Sequence, residues 1–506
     1  MPSGESFDAT ELRHIAAGVI ADYFYRGEYS RAAVEQLARL ILGSDARAIE
    51  ASRVLFSALV EPLADSFEPS GVSLYNRVFA QIVQFCRTTT REIDAELSRF
   101  GLKSETDLLT RVESLRPRPG GRLSTSAPGI STHLDGGSSR SPVQLAIVLS
   151  RVTLGADVAI TGVLIERLKQ TFPSAQIVLA GGSKMRELFG GDHRLSFQVV
   201  DYGRTASLSD RMSVWLQLAA LVRSLTHGLS TDKYVIVDPD SRLTQLGVLP
   251  VCPDESYLFF PSREYLFESD ESLGMLASSW SAKVLGGPAL TPAVSLAAAD
   301  IEVGRKIGVI LGAGRSRKIV TLNFGVGGNE SKRVGMEFER SLVEHLVGSR
   351  GSGSQDARPA IILDRGAGVG EDALVDSLIV RAAGNTADFV NLNIVEACEK
   401  SLPDVLSAHN HSPDILVWRG RIGLLAAMIK ASDLYIGYDS MGQHIAAAVG
   451  VPCIDVAAGA VSQRFLDRWR PTGLARTTVI DAGGHSDWRR MLDEVDQSAG
   501  LILDAH

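Results

Sequence analysis

Apolar positions from about Phe7 to Leu115 recur every three or four residues: Leu12, Ile15, Val19 and Tyr23, then Val34, Leu37 and Ile41, then Leu74, Val78, Ile82 and Phe85. That spacing lines one face of an α-helix, and Asp8 with Glu11 has the spacing of a capping box ahead of the first run. Gly27, Gly43, Pro62, Pro69-Ser70-Gly71 and Gly101 divide the stretch into four to six helices. No fixed period recurs, so a repeat array is not indicated. Stripes of this kind are core faces more often than docking surfaces, and the region is assigned no chemistry. From Arg116 to Pro142 the chain turns to RPRPGGRLSTSAPGISTHLDGGSSRSP, the composition of a flexible linker and a domain boundary.

Beyond the linker the period changes. Leu145–Leu149 is a short continuous apolar run, the pattern of a strand buried on both faces. A helix carrying Val163, Leu164 and Leu168 follows and stops at Phe172-Pro173, and Ala175–Ala180 supplies the next strand. The alternation continues through Val199-Val200, a helix around Trp215, Leu216 and Leu218, and Tyr234–Val237. A second series opens at Lys318–Asn323, passes through Ala360–Leu363 and closes on Leu434–Gly437, a helix at Ile445–Val449 and a further apolar run after Pro452. Strand and helix in alternation predict doubly wound parallel sheets, whose ligands gather beyond the carboxyl ends of the strands. The expected fold is α/β, with two Rossmann-like domains facing a cleft and an all-α region in front. Residues 1–115 would be helical, 116–142 linker, 143–310 the first α/β domain and 311–506 the second, with a hinge at Pro288–Arg315.

Composition narrows the class. A chain of 506 residues exceeds one core, at roughly 100–200 residues per domain. A net charge of −8 disfavours nonspecific nucleic-acid binding but permits an anionic substrate. Cys86, Cys252, Cys398 and Cys453 are scattered, without metal-ligand spacing, which suits four isolated thiols in a reducing compartment. The first residues lack a basic segment and an apolar core, and no apolar run reaches about 18 residues. A cytoplasmic protein is expected, with peripheral contact at a membrane face compatible with it.

The chemistry concentrates in Ala431–Ala458, ASDLYIGYDSMGQHIAAAVGVPCIDVAA. A strand ends at Tyr438, Asp439-Ser440 supply cap-type side chains, and Gly450 and Pro452 close the helix that follows. Such a turn leaves backbone N–H groups at the positive end of a helix, where a pyrophosphate is stabilised. Met441 and Gly442 would let the backbone come close, and His444 projects from the first turn. The same residues also fit an ordinary capped helix.

Asp439, Ser440, Gln443, His444, Ala446, Ala447, Ala448, Gly450 and Pro452 resemble the C-terminal signature of glycosyltransferase family 9, the lipopolysaccharide heptosyltransferases, roughly D-S/T-G-x-x-H-x-A-A-A-x-G-x-P. Met441 stands where that family has Gly. A second island, Arg151, Asp157, Val158 and Thr161 with Leu168-Lys169 and Phe172-Pro173, is similar to the family's R-x-x-x-x-G-D-V-x-x-T, with Ala156 for the usual Gly. The likeness spans about Val143 to Thr472.

What it implies is a GT-B fold and an inverting, metal-independent transfer of a sugar, ADP-heptose being the usual donor, to a glycan, lipid-linked or protein hydroxyl acceptor. Asp157 would be the general base, although Asp is also a common helix cap. Lys332, in the Gly-rich loop Asn323–Lys332, would reach the donor's diphosphate beside Asp439, Ser440, Met441, Gly442 and His444; a solvated loop lysine fits the pattern too. Glu371 would accept from a ribose, or simply favour the first turn of a helix. Arg151 and Arg242 would face an anionic acceptor, and Arg421 would line the cleft. Asp238-Pro239-Asp240 has the spacing of a metal-binding DxD, but its place in the first half argues for a turn, so no metal or cofactor is expected. Two other readings stay open. One is a non-catalytic nucleotide-sugar-binding scaffold using the helical region as a platform for a protein partner; the other is a nucleotide-sugar epimerase.

Overall fold

The computed structural model describes residues 9–42, 45–116, 143–203, 206–312, 317–327, 329–348, 358–366, 369–383, 393–407, 413–460, 462–483 and 487–504. Most of the linker, residues 117–142, lies outside them.

Each short apolar run forms a strand. The first sheet contains β1 (Leu145–Leu149), β2 (Gln176–Gly181), β3 (Leu195–Val199), β4 (Tyr234–Asp238) and β5 (Tyr257–Phe259) in the order β3-β2-β1-β4-β5. The second contains β6 (Ile319–Asn323), β7 (Ala360–Asp364), β8 (Ile394–Cys398), β9 (Ile415–Arg419), β10 (Leu434–Tyr438), β11 (Cys453–Ala457) and β12 (Thr477–Asp481), ordered β12-β11-β10-β6-β7-β9-β8. Every pairing is parallel.

Side chains alternate across a strand, so each sheet feeds two cores. In β1, Leu145, Ile147 and Leu149 join a core made with the N-terminal helices and the helix Leu208–Leu225. Ala146 and Val148 face the other way, into a core that continues through the inner side of the second sheet to Trp418, Tyr435 and Cys453. The outer face of the second sheet packs on the helices Met336–Gly348 and Trp488–Asp504. The two α/β halves therefore share apolar surface, and part of the expected cleft is filled.

Every element before β1 is helical among the described residues. Pro62, expected to divide two helices, does not: the chain stays helical from Ala46 to Asp65. A π-turn at Phe56–Val60, closed by the Glu61 N–H on the Phe56 carbonyl, re-registers the hydrogen bonds just ahead of the proline's missing N–H. In the expected hinge, the helix Ala298–Gly312 packs closely on Ile422–Lys430 of the second half, with Gly304 against the Ala427 carbonyl. No helix of the described residues is long and apolar enough to cross a membrane.

Candidate functional site

Strand order reverses between β1 and β4 in the first sheet and between β6 and β10 in the second. Crevices outside the carboxyl ends at such reversals are where open α/β sheets take ligands. The expected site residues that can be placed fall at these two points, except Arg421, which follows β9.

At the second reversal, Lys332 reaches from the loop after β6 to the end of β10. Its ammonium lies 2.5 Å from Asp439 Oδ2 and 3.3 Å from the Asp439 carbonyl oxygen. Gln443 donates from Nε2 to Asp439 Oδ1 at 3.1 Å and accepts the Ser440 N–H at 2.9 Å, fixing the turn into the helix Met441–Val449. The Lys332 ammonium also stands 5.7 Å over the Phe465 ring. Gly442 is small for a reason other than a phosphate's approach: a β-carbon there would collide with the Tyr435 hydroxyl, which is wedged beneath the first turn.

His444 is buried against Trp469, ring centroids 6.1 Å apart, and burial pulls its pKa down to about 4. It is therefore a neutral imidazole at pH 7, so it would not meet a diphosphate with a positive charge. It can still donate a hydrogen bond. Beneath these groups, Asp455 of β11 is 3% exposed, and its Oδ1 has no hydrogen-bond partner among the described residues. Burial, then the nearby Asp439 carboxylate, drive its pKa well up. As the one charged residue in the apolar run Cys453–Ala457, it was visible in the sequence.

At the first reversal the chain leaves β1 through Val152, which has φ 65°. A β-branched residue in the left-handed region is an outlier of the kind found at functional turns, costing about 1–3 kcal/mol. The next residues wind into Leu154–Ala156 and a π-turn, Asp157–Thr161. Asp157 does not cap its own helix. Its Oδ1 accepts the Arg151 N–H at 2.7 Å and the Thr161 hydroxyl at 2.8 Å, and its Oδ2 the Ser150 hydroxyl at 2.7 Å. Burial, to 1% exposure, outweighs these three donors and pushes its pKa up to about 6.

The two reversal points meet. A β-carbon on Gly155 would lie 3.1 Å from His444 Cδ2 and 3.3 Å from both the Met441 Cα and the Ser440 carbonyl oxygen. The turn carrying Asp157 thus abuts the first turn of the helix Met441–Val449 across the seam between the halves.

The arginines are placed differently from the acceptor role expected of them. Arg151 is buried, donating from Nη1 to the Pro239 and Asp240 carbonyls at 2.7 and 2.9 Å and to the Ser262 hydroxyl at 2.8 Å. Burial, with Arg263 next, pulls its pKa down to about 9. Arg242 stands over the Tyr75 ring of the helical region at 5.9 Å. Arg421 pairs with Asp300 at 2.9 Å. Asp238 is taken up by the Ser241 N–H and the hydroxyls of Thr244 and Tyr257, and Asp240 by Arg263 at 2.8 Å, so the DxD is a structural turn. Glu371 falls within the helix Val369–Ala383, but its side chain lies outside the described residues.

Chemically, the assembly offers a carboxylate poised near neutrality on one side of a seam, and a lysine with a helix N-terminus on the other. No protein-family model matches the chain, and no curated protein matches it. Among solved structures, it is similar to a glycosyl transferase family 9 protein from Veillonella parvula DSM 2008, at 12% identity and TM-score 0.48, over 73% of this chain and 100% of the other. It is also similar to the E. coli ADP-heptose lps heptosyltransferase II, at 13% identity and TM-score 0.42, over 71% and 98% of the two chains. E. coli heptosyltransferase WaaC with ADP gives 13% identity and TM-score 0.43, over 71% and 100%.

Proposed function

We propose that the chain is a GT-B glycosyltransferase that moves a sugar, heptose or similar, from a nucleoside diphosphate donor to a hydroxyl acceptor with inversion. One observation carries the reading: the Asp157 turn and the Lys332–Asp439 pair, each at the reversal point of its own sheet, adjoin across one seam through Gly155 and the first turn of Met441–Val449. The donor's diphosphate would take the Lys332 ammonium from Asp439 and lie on the N–H groups of that turn, with His444 donating a hydrogen bond. Asp157 would accept the acceptor's hydroxyl proton as its oxygen bonds to the anomeric carbon and the bond to the diphosphate breaks. The lysine would supply the cationic stabilisation of the leaving group, so the transfer needs no metal. Because Asp157 is sealed by its neighbours, the halves would have to part before the reactants assemble.

The same burial favours a second reading, a nucleotide-sugar-binding protein without catalysis, in which Asp157 only braces the turn after β1. A thermal-shift panel of nucleotides and nucleotide sugars tests what the two readings share, since a ligand of the native state raises its apparent stability. Release of nucleoside diphosphate from the stabilising donor then separates them: turnover by the wild type supports transfer, and binding without turnover supports the scaffold.

A further inference from the structure

Among the described residues, Phe67 is the single residue of the helical region that belongs to the core shared by the two halves; its neighbours belong to the core of the first sheet. It sits at the corner between the helices ending at Asp65 and beginning at Pro69, with φ 54° and no exposed surface. A bulky residue held in the left-handed region implies surroundings that over-determine it. Those surroundings belong to the second half. The Phe67 ring lies 6.3 Å from Phe465 and 6.4 Å from Trp469, both on the helix Gln463–Trp469. Arg464 of the same helix donates to the Phe67 carbonyl at 3.4 Å and pairs with Glu68 at 3.3 Å. Phe465 in turn underlies the Lys332 ammonium, and Trp469 packs on His444.

On its other side the corner is tied to the first half, where Arg263 Nε donates to the Ala64 carbonyl at 3.0 Å. The helix Gln463–Trp469 is itself fastened there: the Arg468 guanidinium donates to the carbonyls of Leu266, Phe267 and Glu271 at 3.0, 3.1 and 2.8 Å. One aromatic group therefore touches the helical region, the first half by way of its partners, and two residues of the candidate site.

We propose that the Phe67 corner is a latch: it holds Gln463–Trp469, and through Trp469 and Phe465 the His444 and Lys332 side chains, in the closed seam, and its withdrawal lets the seam open. The helical region then has a role the sequence alone could not assign. It is a built-in gate on the site, and whatever binds that region controls access. The gate itself is independent of the chemistry behind it; that it admits a nucleotide rests on the proposed function.

Hydrogen–deuterium exchange on the full chain tests the latch without any ligand. In Phe67→Ala, amides of Gln463–Trp469 and of the first turn of Met441–Val449 should exchange about fivefold faster or more, while β1 and the helix Pro69–Thr89 keep their protection, as expected of a local cooperative opening. Arg464→Ala, a partly exposed position, should accelerate the same peptides more weakly and serves as the arm that counts if Phe67→Ala does not fold. Acceleration confined to the corner, or spread evenly over the chain, would overturn the latch. ADP association, followed by stopped flow, should speed up in the same variants. Coupled exchange with no ADP binding by either form would leave the latch standing and remove the nucleotide-donor reading.

Discussion

Gly155 and His444 meet across the seam between the two α/β halves, so closely that a β-carbon on the glycine would lie 3.1 Å from the imidazole Cδ2. Gly155→Val should therefore overpack the seam. A cost of about 1–3 kcal/mol is expected for added methyl groups in a well-packed contact, visible as a lower urea midpoint with an unchanged slope. An unaltered midpoint would mean that the seam gives way freely.

Lys332 has two partners in prospect, the Asp439 carboxylate it holds now and the diphosphate proposed to replace it. Lys332→Met should weaken ADP binding at least tenfold in calorimetry, since a charge-assisted hydrogen bond is worth about 1.5–3 kcal/mol. Thermal stability should fall as well, because the substitution leaves the Asp439 carboxylate, only 12% exposed, without its cation.

The two buried titratable groups at the seam act on stability with opposite signs. His444 is held down to about 4 in the folded chain, against about 6.5 in an unfolded one. The unfolded state thus binds the extra proton, and the stability this gives is present above pH 6.5 and lost as pH falls through 4. Asp157 is raised to about 6, so its contribution is present below the unfolded value of about 3.9 and lost as pH rises through 6. Relative to wild type, His444→Gln should tilt the stability profile between pH 4 and 6.5 downward with rising pH, and Asp157→Asn should tilt it upward. Chemical denaturation at four or five pH values reads both slopes, and equal slopes in all three proteins would contradict the assignment.

If Asp157 is the base, it must be ionised to work. The kcat/KM of donor turnover should climb tenfold per pH unit below about 6 and level off above it. A profile flat from pH 5 to 8 would show that no such group limits the reaction.

Arg151 should behave as a structural residue. It is buried and spends its guanidinium on Pro239, Asp240 and Ser262. Arg151→Ala leaves the buried Pro239 and Asp240 carbonyls short of a donor and removes a cation that lies 3.8 Å from the Asp240 carboxylate, and should destabilise the fold by about 3–5 kcal/mol. A fully stable Arg151→Ala that only loses acceptor affinity would restore the binding role.

The sheets were legible because β1, β6 and β10 are short apolar runs bounded by small or polar residues, a pattern that local chemistry alone dictates. The meeting of Asp157 with His444's helix was legible only through the resemblance of two spacings to those of glycosyltransferase family 9, since nothing local says which two turns adjoin. What stayed hidden depends on tertiary partners. The apolar stripes of the first 115 residues do not say which sheet they cover, so the packing of Arg242 over the Tyr75 ring could not be seen. Gly442 looked like room for a phosphate because the sequence does not show that Tyr435 fills the space. Asp455 stood in plain view as a lone charge in a strand, and its burial follows from β11 lying between β10 and β12.

The account turns on a proton acceptor and a diphosphate holder working together across one seam. Its most direct test is Asp157→Ala assayed with whichever nucleotide sugar the wild type binds: the account predicts that the variant still binds the nucleoside diphosphate within about threefold of wild type while its turnover falls by about a hundredfold or more. Turnover persisting near the wild-type rate, or nucleotide binding lost along with it, would contradict the account.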